Sequence, residues 1–300
     1  MDLHYLEIFN TIATFESYKK ASAVLHISQP ALSVQIKRLE SQIGLKLFDK
    51  KGNKVYLSEN GIMLFSYTKK IFRIISDLED AISDTQGYVG GTLNLGGSNT
   101  PGSYILPEII GAFKKQYPKV ILNLSIGNTA DISHYIHNGT LDIAINGGTC
   151  NYNEHIYVEE LLSDRLVLVA SPKSPYCSLE KITTSKLRDM SFVVHKTDSQ
   201  LYSFYDKFLQ QMGIPENVVM SLGNIDAIKK AVAANLGVSL IPYCAVKFEL
   251  QFGILQQLNV PNLNIKYPYS LIYNKNKTLS AASKKFIDFI KDSIDDYANK

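Results

Sequence analysis

Apolar positions in the first 43 residues recur at helical spacing in three short blocks. Leu3, Leu6, Phe9 and Ile12 fall on one face of a first helix. Ser17 is placed to cap a second, Tyr18 to His26, with Ala21, Val24 and Leu25 facing inward. After a tight break at Ile27, Ser28 caps a third helix whose first turn holds Pro30, where a missing N–H costs little. Leu32, Ile36, Leu39 and Ile43 step along it at i, i+4, i+7 and i+11 and pack it onto the first two; Gly44 stops it. The stretch KKGNKVYLS then sets a Gly-Asn turn before alternating residues, the outline of a hairpin wing.

Residues 60 to about 86 hold no proline and only Gly61 at the start. Leu64, Thr68, Ile71, Ile75, Leu78 and Ile82 are spaced four, three, four, three, four, which predicts a coiled-coil seam. GYVGG, with Gly87 to Gly91, breaks that helix. From Thr92 the rhythm changes. TLNLG reads as a strand, and Pro101 to Tyr117 as a helix with Ile105, Ile109 and Phe113 inward. VILNLSIG and LDIAING are further strands, and DRLVLVAS, FVVH and GVSLIP continue the pattern among helices. Such alternation predicts parallel sheets with helices on both faces. About 210 residues is large for one such sheet, so two lobes are expected.

Composition narrows the function. Hydrophobic residues make up 45% of the chain, enough to fill real cores and to exclude global disorder. The net charge of +3 is too small to argue for nucleic acid, so any basic patch must be local. MDLHYLEIFN has no basic-then-apolar signal pattern, and no apolar run reaches the roughly 18 residues of a membrane span. A cytoplasmic protein is expected, with no membrane role. Cys150, Cys177 and Cys244 are odd in number and far apart, which predicts reduced thiols and neither a disulfide framework nor a zinc site.

On the third helix, Gln29, Ser33 and Lys37 recur every four residues on a face that must look outward. A merely solvated face is the plain alternative. Against it, the stripe begins at a helix N-terminus, where backbone N–H groups favour phosphate. A short break joins it to the preceding helix at helix-turn-helix distance. Lys50, Lys51 and Lys54 lie in the wing, ready to meet a nucleic-acid backbone. Glutamine and serine at the leading end can read base edges in a major groove. The candidate DNA contacts are Ser28, Gln29, Pro30, Ser33, Gln35, Lys37, Arg38, Lys50, Lys51 and Lys54.

Over Ala21, Leu25, Ser28 to Ser33, Gln35-Ile36, Leu39-Glu40, Gly44 and Leu47-Phe48 the chain resembles LysR-type transcriptional regulators. Tyr18 stands for a usual phenylalanine, Ser22 for alanine and Lys50 for arginine, and the last change loses a bidentate fork. The resemblance is strong to about residue 60 and extends over the whole chain. It implies an α/β protein in three parts. A winged helix-turn-helix occupies 1–58, and a linker helix that dimerises occupies 59–88. A two-lobed effector-binding domain like type II periplasmic binding proteins occupies 89–300. Lobe I takes about 89–163 and 267–300, and lobe II about 164–266. The implied partners are double-stranded DNA, a small anionic metabolite and further copies of the chain as dimer or tetramer. RNA polymerase is a candidate partner. No cofactor, metal or catalytic residue is expected.

GGSNTPGSYILP joins the first strand of the C-terminal part to its helix, with hydroxyls beside free N–H groups, a setting for an anion. Ordinary capping chemistry is the plain alternative. The loop lacks a Walker ending and resembles that of LysR-type regulators near the carbon-fixation and sulfur-assimilation branches. GNT, at Gly127 to Thr129, and NGG, at Asn146 to Gly148, end two further strands and should gather at the same sheet edge. The effector candidates are Ser98, Asn99, Thr100, Thr129, Asn146, Gly147 and Ser199. After Ser199 the family often carries a threonine and an arginine; Leu201 and Tyr202 here disfavour a doubly charged effector relying on that arginine. His195 and Lys196 can supply charge, though a strand-end histidine is more often structural. His134 and His137 lack a third metal ligand, and Cys150 lacks a basic neighbour. A transport solute-binding protein is the competing reading, disfavoured by the DNA-binding head. An enzyme is disfavoured because no paired carboxylates or nucleophile–base pair emerges.

Overall fold

The computed structural model describes residues 2–51, 54–85 and 89–298. Asp2 starts α1 (Leu3–Phe15), its carboxylate accepting from the His4 N–H at 3.0 Å. Leu6, Phe9 and Ile12 are buried as their spacing predicts, Ile8 and Ala13 widen the face, and Leu3, in the first turn, stays exposed. Ser17 caps α2 (Tyr18–Leu25), and Ser28 caps α3 (Gln29–Ile43) by accepting from the Ala31 N–H. The second helix ends one residue before the expected His26, which turns left-handed at φ 53°. Val24 is 53% exposed and not inward: α2 turns one narrow face to the core, and Ala21 fills it. Leu32, Ile36 and Leu39 close that core from α3.

A wing of β1 (Phe48–Lys51) and β2 (Lys54–Leu57) follows as an antiparallel pair. Its expected Gly52-Asn53 turn lies outside the described residues, as do the side chains of Lys50, Lys51 and Lys54. Glu40 ties the wing to α3 by accepting from the Leu47 N–H at 2.7 Å.

The long helix α4 (Glu59–Thr85) departs from the expected seam. Leu64 and Ile71 pack on the head's own core, with Phe65 and Phe72 beside them. Thr68 is fully buried, its hydroxyl 3.3 Å from Asn10 Oδ1 and 3.1 Å from the Phe65 carbonyl. The apolar side chains of α4 left exposed among the described residues are Ile62, Met63, Tyr67, Ile74, Leu78 and Ile82, of which Leu78 and Ile82 are positions of the expected seam. Three short helices and a wing enclose too little apolar volume to shield their own core, so the first turns of α4 roof it. Part of the break after α4, at Gly87 and Tyr88, lies outside the described residues. The chain divides into two compact units between Ile82 and Ser83.

The second unit opens with β3 (Gly91–Ser98), α5 (Asn99–Tyr104), α6 (Leu106–Gln116), β4 (Val120–Gly127), α7 (Thr129–His137) and β5 (Ile143–Gly147). The single helix expected from Pro101 to Tyr117 is two, broken where Ile105 sinks into the core. A long strand β6 (Ile156–Ala170) leads out to α8 (Thr184–Arg188), β7 (Phe192–His195), α9 (Gln200–Met212), β8 (Val218–Leu222) and α10 (Ile225–Ala233). Then come β9 (Ser239–Pro242), α11 (Tyr243–Gln251), β10 (Gln256–Gln257), β11 (Lys266–Asn274) and α12 (Ala281–Ala298).

Strand order is β10-β6-β11-β5-β3-β4, with β9 also on β6, while β7 and β8 form a separate parallel pair. The seven-stranded sheet is mixed and not parallel as expected. The β3–β4 and β3–β5 pairs are parallel, but β11 runs antiparallel to both β5 and β6. The chain leaves the first lobe on β6 and returns on β11 alongside it, in the opposite direction. The β6 residues Ile156 to Arg165 pair with β11, and Leu166 to Val169 pair with β9, so one strand spans both lobes. Among the described residues no helix is long and apolar enough to cross a membrane.

Candidate functional site: a reading helix and an interlobe cleft

The outward surface of α3 is mostly polar and basic, with Pro30 and Val34 exposed among the polar side chains. Ser28, Gln29, Pro30, Lys37 and Arg38 are exposed, and Ser33 is half-buried at its edge. Ser28 spends its hydroxyl on the Ala31 N–H, which fixes the helix start where Gln29 and Pro30 emerge. Gln35 differs from the others. It is half-buried, and its Oε1 is turned into the protein without a hydrogen-bond partner.

The second site is a cleft of about 560 Å³ between the lobes of the C-terminal unit. Lobe I brings Ser98, Asn99 and Thr100 from the start of α5 and Thr129 from the start of α7. Lobe II brings Ser199 at the start of α9. Five of the seven effector candidates therefore line one space. Asn146 and Gly147 do not line it. They lie one layer below, because β5 is buried along its whole length. Asn146 Nδ2 is 3.1 Å from Ser133 Oγ and 3.3 Å from the Tyr152 hydroxyl, and the Gly147 N–H donates to Ser98 Oγ at 2.8 Å.

That last bond leaves Ser98 without a capping bond to α5, whereas Asn128 caps α7 and Ser199 caps α9. The close approach of β3 to α5 requires a residue without a side chain at Gly97, where a Cβ would stand 2.5 Å from the Gly102 Cα. The lobes also nearly touch beside the cleft. Gly148, at φ +88°, faces Gln200, whose Cβ would lie 2.6 Å from a Cβ added there.

His195 and Lys196 reach the cleft from the end of β7. His195 is only 8% exposed, and its Nδ1 has no hydrogen-bond partner. Burial depresses its pKa below the usual 6.5, against the opposing charge of Asp198, which disfavours the charged imidazolium in the cleft. Burial also pushes the Cys150 thiol up, which disfavours a reactive thiolate. No group of three metal-ligating side chains occurs among the described residues, and His137 Nδ1 lies 3.0 Å from Asn153 Nδ2. Sequence reasoning missed Gly223 and Tyr267 in the lining. Nothing local marks them, since only the fold brings residues so distant in sequence to Ser98.

Two family models together match most of the chain. The lysR-family bacterial regulatory helix-turn-helix model matches residues 3–62, and the LysR substrate-binding domain model matches residues 86–295. A probable RuBisCO transcriptional regulator of Cyanophora paradoxa is 35% identical over 293 residues, covering 96% of this chain and 90% of its own. Full-length CbnR bound to its target DNA matches with a TM-score of 0.74 at 18% identity, over 98% of this chain and 100% of that one. The effector-binding domain of QuiR in complex with shikimate matches at 0.62 and 22% identity, over 70% of this chain and 99% of its own. The chain belongs to the LysR family of transcriptional regulators, with a helix-turn-helix DNA-binding head and an effector-binding domain.

Proposed function

We propose that the protein works in the cytoplasm as a dimer or dimer of dimers on promoter DNA, and answers a small anionic metabolite held in the interlobe cleft. The head, linker and effector parts are taken as 1–58, 59–88 and 89–300. Gln29, Pro30 and Ser33 read base edges; Ser28, Lys37, Arg38 and the wing lysines Lys50, Lys51 and Lys54 meet phosphates. RNA polymerase is the partner through which bound DNA would become regulated transcription.

One observation carries the anion reading: the hydroxyl-bearing residues Ser98, Thr100, Thr129 and Ser199 line one cleft with the starts of α7 and α9 and with Lys196. Helix N-termini contribute about 0.3–1 kcal/mol each, and hydrogen bonds to a charged ligand about 1.5–3, so the hydroxyls set the affinity. Asp198 is the acidic side chain in the lining, which favours a singly charged ligand or one keeping its charge toward lobe I. QuiR's shikimate, a hydroxylated carboxylate, is a ligand of this class. The ligand must favour one lobe arrangement over another to alter the DNA-bound state.

Calorimetry with sulfur metabolites, sugar phosphates and small carboxylates tests this on wild type, Ser98→Ala and Thr100→Val. Binding should weaken roughly 10- to 100-fold in the variants, with operator binding in the absence of ligand little changed. A neutral effector, or one held equally by both variants, overturns it.

A further inference from the structure

Val34, in the N-terminal half of α3, points almost directly away from the core of the head. At about 100° per residue it lies about 170° round the helix from the mean direction of the buried Leu32, Ile36 and Leu39. Gln29 and Ser33 sit on the shoulder, within about 95° of that direction. Val34 is 51% exposed and is absent from the side chains packed on the head's core. Exposed Pro30 precedes it by one turn, and exposed Lys37 and Arg38 follow within one turn.

A lone exposed valine is ordinary on a protein surface. This one occupies the middle of the face that enters a groove, among polar and basic neighbours. Helix propensity does not ask for it, since a β-branched residue is a weaker helix former than the lysine or arginine nearby. Packing does not ask for it either. The major groove offers one apolar group to such a side chain, the C5-methyl of thymine.

We propose that Val34 is a specificity-determining residue of DNA recognition, its methyl groups packing on the C5-methyl of a thymine in the major groove. This rests on α3 being the reading helix. Lys37 and Arg38, on either side of Val34 on the next turn, hold the strands while the valine selects. Cytosine at that place presents no methyl group and leaves a donor against the valine, so thymine is preferred over cytosine.

The experiment uses the full chain and the duplexes it selects from a random pool, with each thymine replaced in turn by uracil, which removes only the methyl group. Wild type should lose about three- to tenfold at one thymine per half-site, as burial of a single methyl group predicts. Val34→Ser should bind the thymine and uracil duplexes alike, and Val34→Ile should restore the difference. Indifference of wild type to uracil at every thymine overturns the proposal, as does an undiminished uracil penalty in Val34→Ser. Gln29→Ala, measured in parallel on selected and random duplexes, separates the two readings. If it still costs selectivity when Val34 proves silent, α3 remains the reading helix and only the valine's role falls.

Discussion

The phenolic hydroxyl of Tyr104 donates a 2.7 Å hydrogen bond to Oδ1 of Asp226, joining α5 of one lobe to α10 of the other. Both helices begin at the cleft, through Thr100 and Ile225. Behind the bond, Lys229 Nζ meets Asp226 at 3.0 Å, Glu249 at 2.8 Å and the Ala245 carbonyl at 3.0 Å, and stands 4.7 Å over the Tyr104 ring. Burial alone would lower the Lys229 pKa, but Glu249 and Asp226 overcome it and hold the ammonium charged. The Tyr104 hydrogen bond is the largest cause keeping the Asp226 carboxyl below its usual range.

Tyr104→Phe keeps the ring under Lys229 and removes the hydroxyl's interlobe contacts with Asp226 and Lys229. Because Asp226 is largely exposed, the loss should be about 1 kcal/mol, read as a lower urea midpoint for the full chain. Lys229→Met should cost more, about 3 kcal/mol, since it strips Glu249 of a buried partner. Equal midpoints for wild type and Tyr104→Phe would show that the lobes are held together elsewhere.

Gly148→Ala should strain a point beside the cleft where the lobes lie close together. The backbone there is left-handed and the added methyl meets Gln200, so the cost should be about 2 kcal/mol with weaker effector binding. Pairing it with Gln200→Gly should recover the steric part of the loss and leave the backbone part. A thermal melt of the single and double variants separates the two.

His195 gives a pH dependence with a definite sign. Its folded-state pKa lies below 6.5, so protonation favours the unfolded chain. Its contribution to stability is whole above pH 6.5 and is lost as pH falls from there through the lower folded value. Asp198 opposes the depression, and the charge of Lys196 adds to it. His195→Gln should therefore flatten the decline in melting temperature between about pH 7 and 5. Parallel curves for wild type and variant would mean the imidazole charges freely in the fold.

Association should follow the exposed row of α4. Ile74 is 67% and Leu78 59% exposed, while Ile71 rests on the head's core. Replacing Ile74 and Leu78 with aspartate should give monomers by sedimentation that keep a folded effector domain and lose operator affinity. Ile71→Asp should instead unfold the head, by placing a charge against its core. A dimer unchanged by the double substitution would place self-association in the effector domain.

What the sequence by itself determined is what repeats locally. The caps at Ser17 and Ser28, the buried run Leu32, Ile36 and Leu39, and the strands VILNLSIG and FVVH were legible because caps and periodicities depend on a few neighbouring residues. The loop at Ser98 to Thr100 was legible for the same reason, as a strand-to-helix turn with its own hydroxyls. Only the tertiary structure decided which apolar face of α4 the head consumes, since Leu64 and Thr68 look like seam positions until a core beneath them is closed. It also decided that Asn146 and Gly147 support the cleft from below, and that Tyr267 and Gly223 reach its wall. These are contacts between residues far apart in the chain, and no local pattern encodes which distant strand will arrive beside β5. The antiparallel entry of β11 carries Tyr267 to the cleft, and that direction follows from the path of the whole domain.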